Sequence, residues 1–417
     1  MSEDSGNKLG RREFMDKAAT AAGLMIVAPE LARGTATQSG KPRKWRYGVV
    51  GTGARARGSH LPILLDYIPE AEIVALCDIT PENLQEGLKI CGGKPAGYSD
   101  YRRMLTAHPE LDAVVVVVPN FLHAQVAIDA MKAGKHVLTE KPVATDLADA
   151  ARMIETAART QRILQVGFEW RYSPVFHRMA DLIRQGAIGK VEIVYSALFR
   201  GDWNPKSWKY TDSHTGKLTN WRFLNFTTGG SLLEDGIHEL DVIHWLVGAE
   251  PSRIDAQGGN NVYVDRETID NAELLIEFLN KARCIFGFSL FTPGVQDGLV
   301  MRFYGSQGEM IPEWGTEDGG VVITPYHGKA GRIPVPYFEP AEKDVWTDLQ
   351  KKHPHWDSMA CDMEMSTYRV HKTFLHSMAT GEQPFSSGEV GRDAIQISLA
   401  AEQSLRNGGR ALGLVSK

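Results

Sequence analysis

Short apolar runs alternate with amphipathic stretches over the first part of the chain beyond Trp45. The segments "WRYGVV" and "AEIVALCD" have the composition of strands, and "SHLPILLDYIP", which lies between them after a glycine turn, has helical spacing. The run Ala113–Pro119 is too rich in β-branched residues for a helix and is apolar on both faces. Buried strands that alternate with helices form parallel sheets covered by helices. Residues 45–165 are therefore predicted to form a doubly wound α/β domain with a Rossmann sheet.

The remaining residues, 166–417, show a different pattern. Segments such as "KVEIVYSALFRG", "NAELLIEFLN" and "ARCIFGFSLF" have strand composition and are separated by turn residues. They predict a C-terminal α+β domain with a mostly antiparallel open sheet. The last helical stretch, at about 388–407, is expected to pack back on the first domain. The segment from Gly328 to Met365 is expected to be irregular and to form a lid or an interface arm.

Composition excludes several classes of protein. The 417 residues are 43% hydrophobic and 23% charged, as in a soluble globular protein. A formal net charge of -5 does not indicate a protein that binds nucleic acid or an anionic membrane. The four cysteines show no CxxC pair, so neither a disulfide framework nor a structural zinc site is predicted.

The N-terminus has the layout of a twin-arginine export signal. Arg11 and Arg12 precede a weakly apolar stretch, Ala18–Val27, which is followed by the small residues Gly34 and Ala36. The apolar stretch is too short to span a membrane. Residues 1–36 are predicted to be the signal and 37–44 a tether, which gives a periplasmic enzyme exported in its folded state. The alternative is an ordinary amphipathic N-terminal helix.

A glycine turn follows the first predicted strand and opens the first predicted helix. Residues 51–56 match the pattern G-x-G-x-x-A, in which the second glycine lets a pyrophosphate approach the backbone. Asp78 closes the second strand, where a carboxylate binds a ribose hydroxyl and favours NAD over NADP. Arg55 and Arg57 keep NADP open as an alternative. The cofactor residues predicted from this part are Gly51, Gly53, Ala54, Arg55 and Asp78.

The stretch "VPNFLHAQVAIDAMKAGKHVLTEKPVATD" narrows the prediction from a fold to a family. Its P-N, H, A-G-K-H and E-K-P elements, in this order, resemble the glucose-fructose oxidoreductase, inositol dehydrogenase and MocA (Gfo/Idh/MocA) family. The resemblance spans the chain from about Trp45 onward. It implies a lysine, here Lys141, beside the nicotinamide and the substrate hydroxyl, and a homodimer or homotetramer built on the open sheet. The further cofactor residues that it implies are Pro119, Asn120, His123, Glu140 and Lys141.

Residues 229–248 are predicted to form one helix that carries several titratable groups. At helical spacing, Glu234, His238 and Asp241 share a stripe beside an apolar one. Family members carry D-x-x-x-H here, so the resemblance assigns the histidine to His238 and the acid to Glu234. Asp235 remains an alternative for the acid. A metal site on the same stripe is the rival interpretation, but it has only one suitable histidine, and no metal is predicted.

Substrate residues are expected on both sides of this helix. The resemblance places Arg171 and Tyr172 near the substrate, and Asp241 belongs to the polar stripe. A tryptophan-rich loop precedes the helix, and flat rings beside hydrogen-bonding groups suit a sugar ring. The alternative is that these rings fill a satellite core or an interface. The residues predicted from the loop are Trp203, Trp208, Trp221 and Arg222.

The resulting hypothesis is an NAD(P)-dependent oxidoreductase that acts on a CH-OH group of a sugar, glycoside or polyol. Lys141, His238 and Glu234 are its predicted catalytic residues, with the first two moving the hydroxyl proton. Because an exported enzyme meets no pool of NAD, the cofactor is expected to stay bound and to be recycled. The alternative is an NAD-dependent glycoside hydrolase that works through transient C3 oxidation. A third hypothesis is a binding protein without catalytic activity.

Overall fold

The computed structural model describes residues 43–201, 209–211, 216, 218–292, 298–315 and 317–414. The predicted export signal and all but the last two residues of the predicted tether lie outside these ranges, as do Trp203 and Trp208. Of the helices in the described part, none combines the length and the apolar character that a bilayer crossing requires.

A six-stranded parallel sheet forms the first layer of the fold. Its strands are β1 Trp45–Val50, β2 Ala71–Cys77, β3 Ala96–Tyr98, β4 Ala113–Val116, β5 His136–Glu140 and β6 Leu164–Gly167. They run in the order β3-β2-β1-β4-β5-β6, which is the doubly wound arrangement with its crevice between β1 and β4. The strand β4 is buried along its whole length, as its uniformly apolar sequence predicts.

Helices cover both faces of this sheet and link it to the rest of the chain. They are α1 Leu61–Asp66, α2 Pro81–Ile90, α3 Tyr101–Ala107, α4 His123–Lys132, α5 Leu147–Thr160, α6 Pro174–Arg184, α7 Asn225–Thr228, α8 Ser231–Glu234, α9 Ile237–Val247, α10 Lys343–Lys352, α11 Ser358–Thr380 and α12 Gly388–Arg406. A π-helical turn, Ala56–His60, leads directly into α1. Single turns of 3-10 helix occur at Asn120–Leu122, Glu169–Tyr172, Trp221–Phe223 and Pro340–Glu342.

The second sheet has nine strands. They are β7 Val191–Phe199, β10 Pro251–Gly259, β11 Asn271–Phe278, β12 Arg283–Ser289, β13 Gly298–Gly305, β14 Gly308–Trp314, β15 Gly319–Pro325, β16 Gly331–Val335 and β17 Leu412–Gly413, while β8 Lys209–Thr211 and β9 Leu218–Asn220 pair separately. The order is β16-β15-β14-β13-β7-β12-β11-β10-β17, and only β7 and β12 pair in parallel. The predicted fold class, a Rossmann sheet followed by a mostly antiparallel sheet, is confirmed.

Two local predictions are wrong. The expected single helix over 229–248 is two helices, α8 and α9, which Asp235 and Gly236 separate. The segment 328–365 is not irregular, because it contains β16, α10 and the start of α11. Local capping explains the last two elements: Glu339 and Glu342 form a capping box before α10, and Asp357 accepts the backbone N–H of Ala360 at the start of α11.

The last helix, α12, packs against α5 and β6 of the first sheet and against β10 of the second. Glycines make this close approach possible. A Cβ atom on Gly391 would lie 2.8 Å from Val143 Cβ, and one on Gly388 would lie 2.8 Å from Leu164 Cδ2. Residues of α12 and of the α8–α9 segment share one hydrophobic core with the parallel sheet. The core thereby holds α8 and α9 beside the carboxyl ends of the parallel strands.

Candidate active site

A cavity of about 880 Å³ lies along the carboxyl ends of the parallel strands and extends to α9. Ligands bind at this edge in doubly wound folds, outside the switch point of the strand order. Every residue predicted to bind the cofactor lies on the cavity lining, and so do Lys141, Glu234 and His238. The structure thus brings together the cofactor residues and the catalytic residues that the sequence predicts.

The glycine turn fits a dinucleotide. Gly51 has a φ of +92°, and a Cβ atom there would lie 2.1 Å from the carbonyl oxygen of Val117, so the turn requires glycine. At Gly53 an added Cβ would meet no atom within 4 Å, which leaves bare backbone facing open space. Asp78 is held at the end of β2, since its Oδ2 accepts the backbone N–H of Thr52 at 2.8 Å. These features suit the pyrophosphate and the ribose of NAD.

Arg55, which lies in this turn, is surrounded by carboxylates. Its Nε donates to Glu140 Oε1 at 2.7 Å, and its terminal nitrogens lie 3.8 Å from Glu169 Oε1 and 3.7 Å from Glu364 Oε2. Burial opposes the charge on Arg55, but the three carboxylates outweigh it and raise its pKa. The Arg55 guanidinium is therefore a positive charge on the cavity lining that is surrounded by three carboxylates.

Glu140 of the E-K-P motif is an internal anchor. Its Oε1 lies 2.9 Å from His60 Nε2 and also accepts from Arg55, while its Oε2 accepts the backbone N–H of Lys141 at 3.1 Å. Burial alone would raise the pKa of Glu140, but Arg55 and His60 hold it well below its usual range. The ionised carboxylate fixes the backbone from which the Lys141 side chain extends.

The Lys141 ammonium lies between the parallel sheet and α8. Its Nζ donates to the backbone carbonyl oxygen of Glu234 at 2.6 Å and lies 3.7 Å from Glu234 Oε1. Its side chain is largely buried, with 15% of its surface exposed. A cation held in this way can still donate to a ligand oxygen, because an ammonium has three donors.

Both carboxylate oxygens of Glu234, the predicted acid, contact a polar or charged side chain. Its Oε2 accepts from Asn120 Nδ2 at 2.5 Å, and its Oε1 lies 2.5 Å from Arg222 Nη2. Its neighbour Asp235 faces Arg200 and Arg222, at 3.4 Å and 3.6 Å. The structure therefore places the carboxylate of Glu234, and not that of Asp235, beside Lys141.

His238 is held on a wall of aromatic rings. It stacks on Trp170 with ring centroids 5.5 Å apart and meets the ring of Phe168 edge-on at 6.2 Å. Its Nε2 lies 3.6 Å from Glu169 Oε1. Burial, followed by the charge of Lys141, lowers the pKa of His238 to about 3. The imidazole is neutral near pH 7 and is available to accept a proton.

Three predicted substrate residues lie off the cavity lining. Arg171 donates to both carboxylate oxygens of Asp241, at 2.7 Å and 2.9 Å, and both side chains are buried. The Tyr172 hydroxyl lies 3.0 Å from Ser386 Oγ and is buried as well. The structure therefore does not bring these three residues to the cavity lining: the ion pair ties the Glu169–Tyr172 turn to α9, and Tyr172 joins that turn to the segment before α12.

Trp221 and Arg222 lie on the cavity lining, as predicted. Sequence reasoning missed three acidic residues that line the same cavity: Glu169, Glu239 and Glu364. Glu169 carried a signal, because a charged residue interrupts the apolar run "VGFEW". Nothing local marked Glu364, which reaches the site only because α11 packs on the π-helical turn. In the described ranges, no three His, Cys, Asp or Glu side chains are arranged to hold a metal ion.

Comparison with known proteins gives the family of the chain. A family model described as "Oxidoreductase family, NAD-binding Rossmann fold" matches residues 45–168, and one described as "GFO/IDH/MocA C-terminal domain" matches residues 176–311. Together the two models cover more than half of the chain.

Two relatives and one solved structure illustrate the similarity. Myo-inositol 2-dehydrogenase of Thermotoga maritima is 26% identical over 373 residues, which are 86% of this chain and 96% of that protein. Inositol 2-dehydrogenase of Salmonella typhimurium is 29% identical over 204 residues, 49% of this chain and 54% of that one. The crystal structure of aldose-aldose oxidoreductase from Caulobacter crescentus, 23% identical, has the same fold, with a TM-score of 0.69 over 89% of this chain and 100% of that one. The chain belongs to the Gfo/Idh/MocA family of NAD-binding oxidoreductases.

Proposed function

We propose that this oxidoreductase oxidises a CH-OH group of a sugar or polyol, with Lys141 and His238 handling the hydroxyl proton. One observation carries the proposal. The Lys141 ammonium and the neutral His238 imidazole line the same cavity as the open backbone at Gly53. The similarity to the myo-inositol 2-dehydrogenase supports a polyhydroxylated substrate.

The side chains divide the work of the oxidation. The bound nicotinamide supplies the hydride acceptor. His238 takes the hydroxyl proton, since its lowered pKa, about 3, leaves the ring neutral near pH 7 with one nitrogen unprotonated. Lys141 donates a hydrogen bond to the substrate oxygen and stabilises the negative charge that develops there. Glu234 orients Lys141 through its backbone carbonyl and its carboxylate.

Binding of NAD in preference to NADP is part of the proposal. The carboxylate of Asp78 lies on the cavity lining at the end of β2 and would repel a 2'-phosphate. Arg57 is engaged elsewhere, because it donates to the carbonyl oxygen of Thr52 at 2.6 Å and to Asn83 Oδ1 at 2.8 Å. Titration of the wild type and of Asp78→Ser with each nucleotide tests this point. A wild type that binds NADP as tightly as NAD would contradict it.

From the sequence alone, we also propose that the protein is exported to the periplasm and that its cofactor stays bound. The pair Arg11 and Arg12 before an apolar stretch supports a twin-arginine signal, which carries folded proteins to the periplasm. Cell fractionation of the wild type and of the Arg11→Lys, Arg12→Lys double variant tests the route. Periplasmic wild type and cytoplasmic variant are expected, and equal periplasmic amounts of the two would overturn the proposal.

A homodimer or homotetramer built on the nine-stranded sheet completes the proposal. Tyr195, Ile285 and Leu275 are neighbours on three adjacent strands and are 44%, 46% and 46% exposed. An exposed apolar row on the face of a sheet suits a second copy of the same face. Light scattering after size exclusion is expected to give an oligomer for the wild type and a smaller species for Ile285→Lys. A monomeric wild type would contradict this.

The central experiment uses purified protein with no added cofactor. The protein is denatured, the released nucleotide is identified, and the near-ultraviolet absorbance of reduced nicotinamide is followed while sugars, polyols and glycosides are added singly. Co-purified NAD that myo-inositol or an aldose reduces is the expected result. Release of an aglycone from a glycoside would instead indicate the hydrolase reaction. Protein that contains no nucleotide, but oxidises a polyol with added NAD, would retain the oxidoreductase proposal and remove the trapped cofactor.

A further inference from the structure

The residues that hold His238 form one short segment. Phe168 and Trp170 contact its ring on two sides, and the residue between them, Glu169, has Oε1 3.6 Å from Nε2 of that ring. The segment is itself fixed, because the neighbouring Arg171 is paired with Asp241 on the same helix as His238. The position of Glu169 relative to the imidazole is thus set by packing on both sides.

Glu169 carries a largely buried carboxyl group, one oxygen of which has no hydrogen-bond partner in the described part of the chain. Its side chain is 13% exposed, and this oxygen is Oε2, which is buried. Its nearest cation, Arg55, is 3.8 Å away and already donates to Glu140 at 2.7 Å. Buried polar atoms in native proteins rarely lack partners unless a function or a ligand accounts for them.

We propose that Glu169 is a positioning residue that orients the His238 ring and receives the proton which that ring takes from the substrate. The proposal rests on the function proposed above and adds to Lys141, His238 and Glu234 a second carboxyl, which faces the imidazole. The 3.6 Å contact is slightly longer than a hydrogen bond, and such contacts in ligand-free sites shorten when substrate binds. Glu234 is less suited to this task, because Asn120 and Arg222 already occupy its two carboxylate oxygens.

The proton and electron balance of the step is simple. The C–H bond of the alcohol breaks, and its hydrogen leaves with both electrons to the nicotinamide ring. The O–H bond breaks, and its proton goes to Nε2 of the His238 imidazole, because Nδ1 is buried. The same nitrogen then passes this proton to Oε1 of Glu169, which becomes a neutral carboxylic acid. The substrate is left as a carbonyl compound, and solvent takes the proton from Glu169 after product release.

The electrostatic environment favours this direction of transfer. Burial raises the pKa of Glu169, and the nearby Glu140 raises it further, although Arg55 opposes both. Burial lowers the pKa of His238 to about 3, so the ring does not retain a proton. The charged or titratable groups that face Glu169 from the surrounding elements are Arg55, Glu140, Lys141, His238 and Glu364.

The test compares Glu169→Gln and Glu169→Asp with the wild type, on whichever sugar or polyol the wild type oxidises fastest. The glutamine keeps the shape of the side chain but cannot take a proton, so kcat is expected to fall about 100-fold with little change in NADH affinity. The wild-type kcat should fall as pH drops through the raised pKa of Glu169, and the glutamine variant should lack this fall. Aspartate should restore part of the rate and the pH dependence.

The chain offers a control contact at the end of α9, the helix that carries His238: His244 lies on that helix, and the more exposed Glu250 follows it. Glu250 lies 3.8 Å from His244 Nε2, a similar acid–histidine contact that lies away from the cavity lining. Glu250→Gln should therefore keep the kcat and the pH profile of the wild type. Equal kcat and an unchanged pH profile in Glu169→Gln would overturn the proposal.

A second readout does not depend on turnover. Protein labelled with 15N-histidine, with His238→Asn for assignment, reports which ring nitrogen carries the proton. In the wild type one neutral tautomer, protonated on Nδ1 with Nε2 free to accept the substrate proton, is expected, and in Glu169→Gln the tautomer populations should change. Identical His238 shifts in the two proteins would overturn the positioning role. If no sugar or polyol is oxidised, the proposed function fails, but this measurement still decides whether Glu169 orients His238.

Discussion

The Nζ atom of Lys141 lies 2.6 Å from the backbone carbonyl oxygen of Glu234. The lysine follows β5 of the parallel sheet, and the glutamate ends α8, so the contact joins two segments that are far apart in the sequence. The Lys141 ammonium, for which we propose a catalytic role, is therefore positioned only when the α8–α9 segment packs against the parallel sheet. That packing is provided by the core they share, in which Leu233 and Ile237 contact residues of the parallel strands.

Removing the charge of Lys141 should lower the rate of substrate oxidation without weakening nucleotide binding. Lys141→Met keeps most of the side-chain volume but cannot donate to the substrate oxygen, so kcat is expected to fall by about 10²-fold to 10⁴-fold. NADH affinity, measured by fluorescence titration, should change little, because Gly53 and Asp78 remain. Lys141→Arg is the control, because it keeps the positive charge but changes the geometry of the donors. Full turnover in Lys141→Met would remove the lysine from the mechanism.

The two glycines of the nucleotide turn should respond differently to alanine. In Gly51→Ala the new Cβ meets the carbonyl oxygen of Val117 at 2.1 Å in a backbone conformation with φ of +92°, so the protein should lose stability. In Gly53→Ala the new methyl group enters open space, so stability should be kept while NAD affinity falls. Thermal melting and nucleotide titration of both variants check this. Unchanged NAD affinity in Gly53→Ala would show that the pyrophosphate does not approach that position.

The sequence predicts those parts of the site that depend on local pattern. The glycine turn, Asp78 and the E-K-P lysine are each marked by a short motif at a strand end, and all of them line the cavity. Strand ends of a parallel sheet meet at one edge whatever the details of packing. Local sequence pattern is therefore sufficient to predict which residues line the cofactor side of the cavity.

Residues whose position depends on tertiary packing are predicted poorly. Helical spacing places Asp241 on a polar stripe with His238, yet a buried Asp241 pairs with Arg171 and never reaches the cavity. Glu364 enters the site from a helix that lies more than a hundred residues from α9 in sequence. Helical periodicity shows that a face is polar, but it does not distinguish a ligand from an internal ion partner.

The Arg171–Asp241 pair should matter for stability and not for substrate affinity. Because both side chains are buried, Arg171→Leu leaves an unpaired buried carboxylate and is expected to cost about 3 to 5 kcal/mol. The double variant Arg171→Leu, Asp241→Leu should recover much of that loss, because it leaves no buried charge. Denaturant unfolding measures the free energies, and KM of the active variants checks the substrate. A KM that rises strongly in Asp241→Asn, with stability intact, would return Asp241 to the substrate site.

Glu402 gives the fold a pH dependence that can be measured. This residue of α12 is buried, its Oε1 accepts the backbone N–H of Leu232 at 3.0 Å, and it packs against bare backbone at Gly230. It thereby supports the start of α8, the helix that carries Glu234. Burial raises the pKa of Glu402 from an ordinary 4.5 to about 7, although the Leu232 N–H opposes this.

The sign of the pH effect follows from the raised pKa. Below pH 4.5 the carboxyl is protonated in both the folded and the unfolded protein, and its contribution to stability is fully present. As pH rises from there through about 7, the unfolded chain ionises first, so the folded state loses up to about 3 kcal/mol. Glu402→Gln keeps an acceptor for Leu232 and does not titrate. The free energy of unfolding, measured by denaturant at pH 5 and at pH 8, should therefore fall more in the wild type than in the variant. If both proteins lose the same free energy between these pH values, folding does not raise the pKa of Glu402, and another buried carboxyl controls the pH dependence.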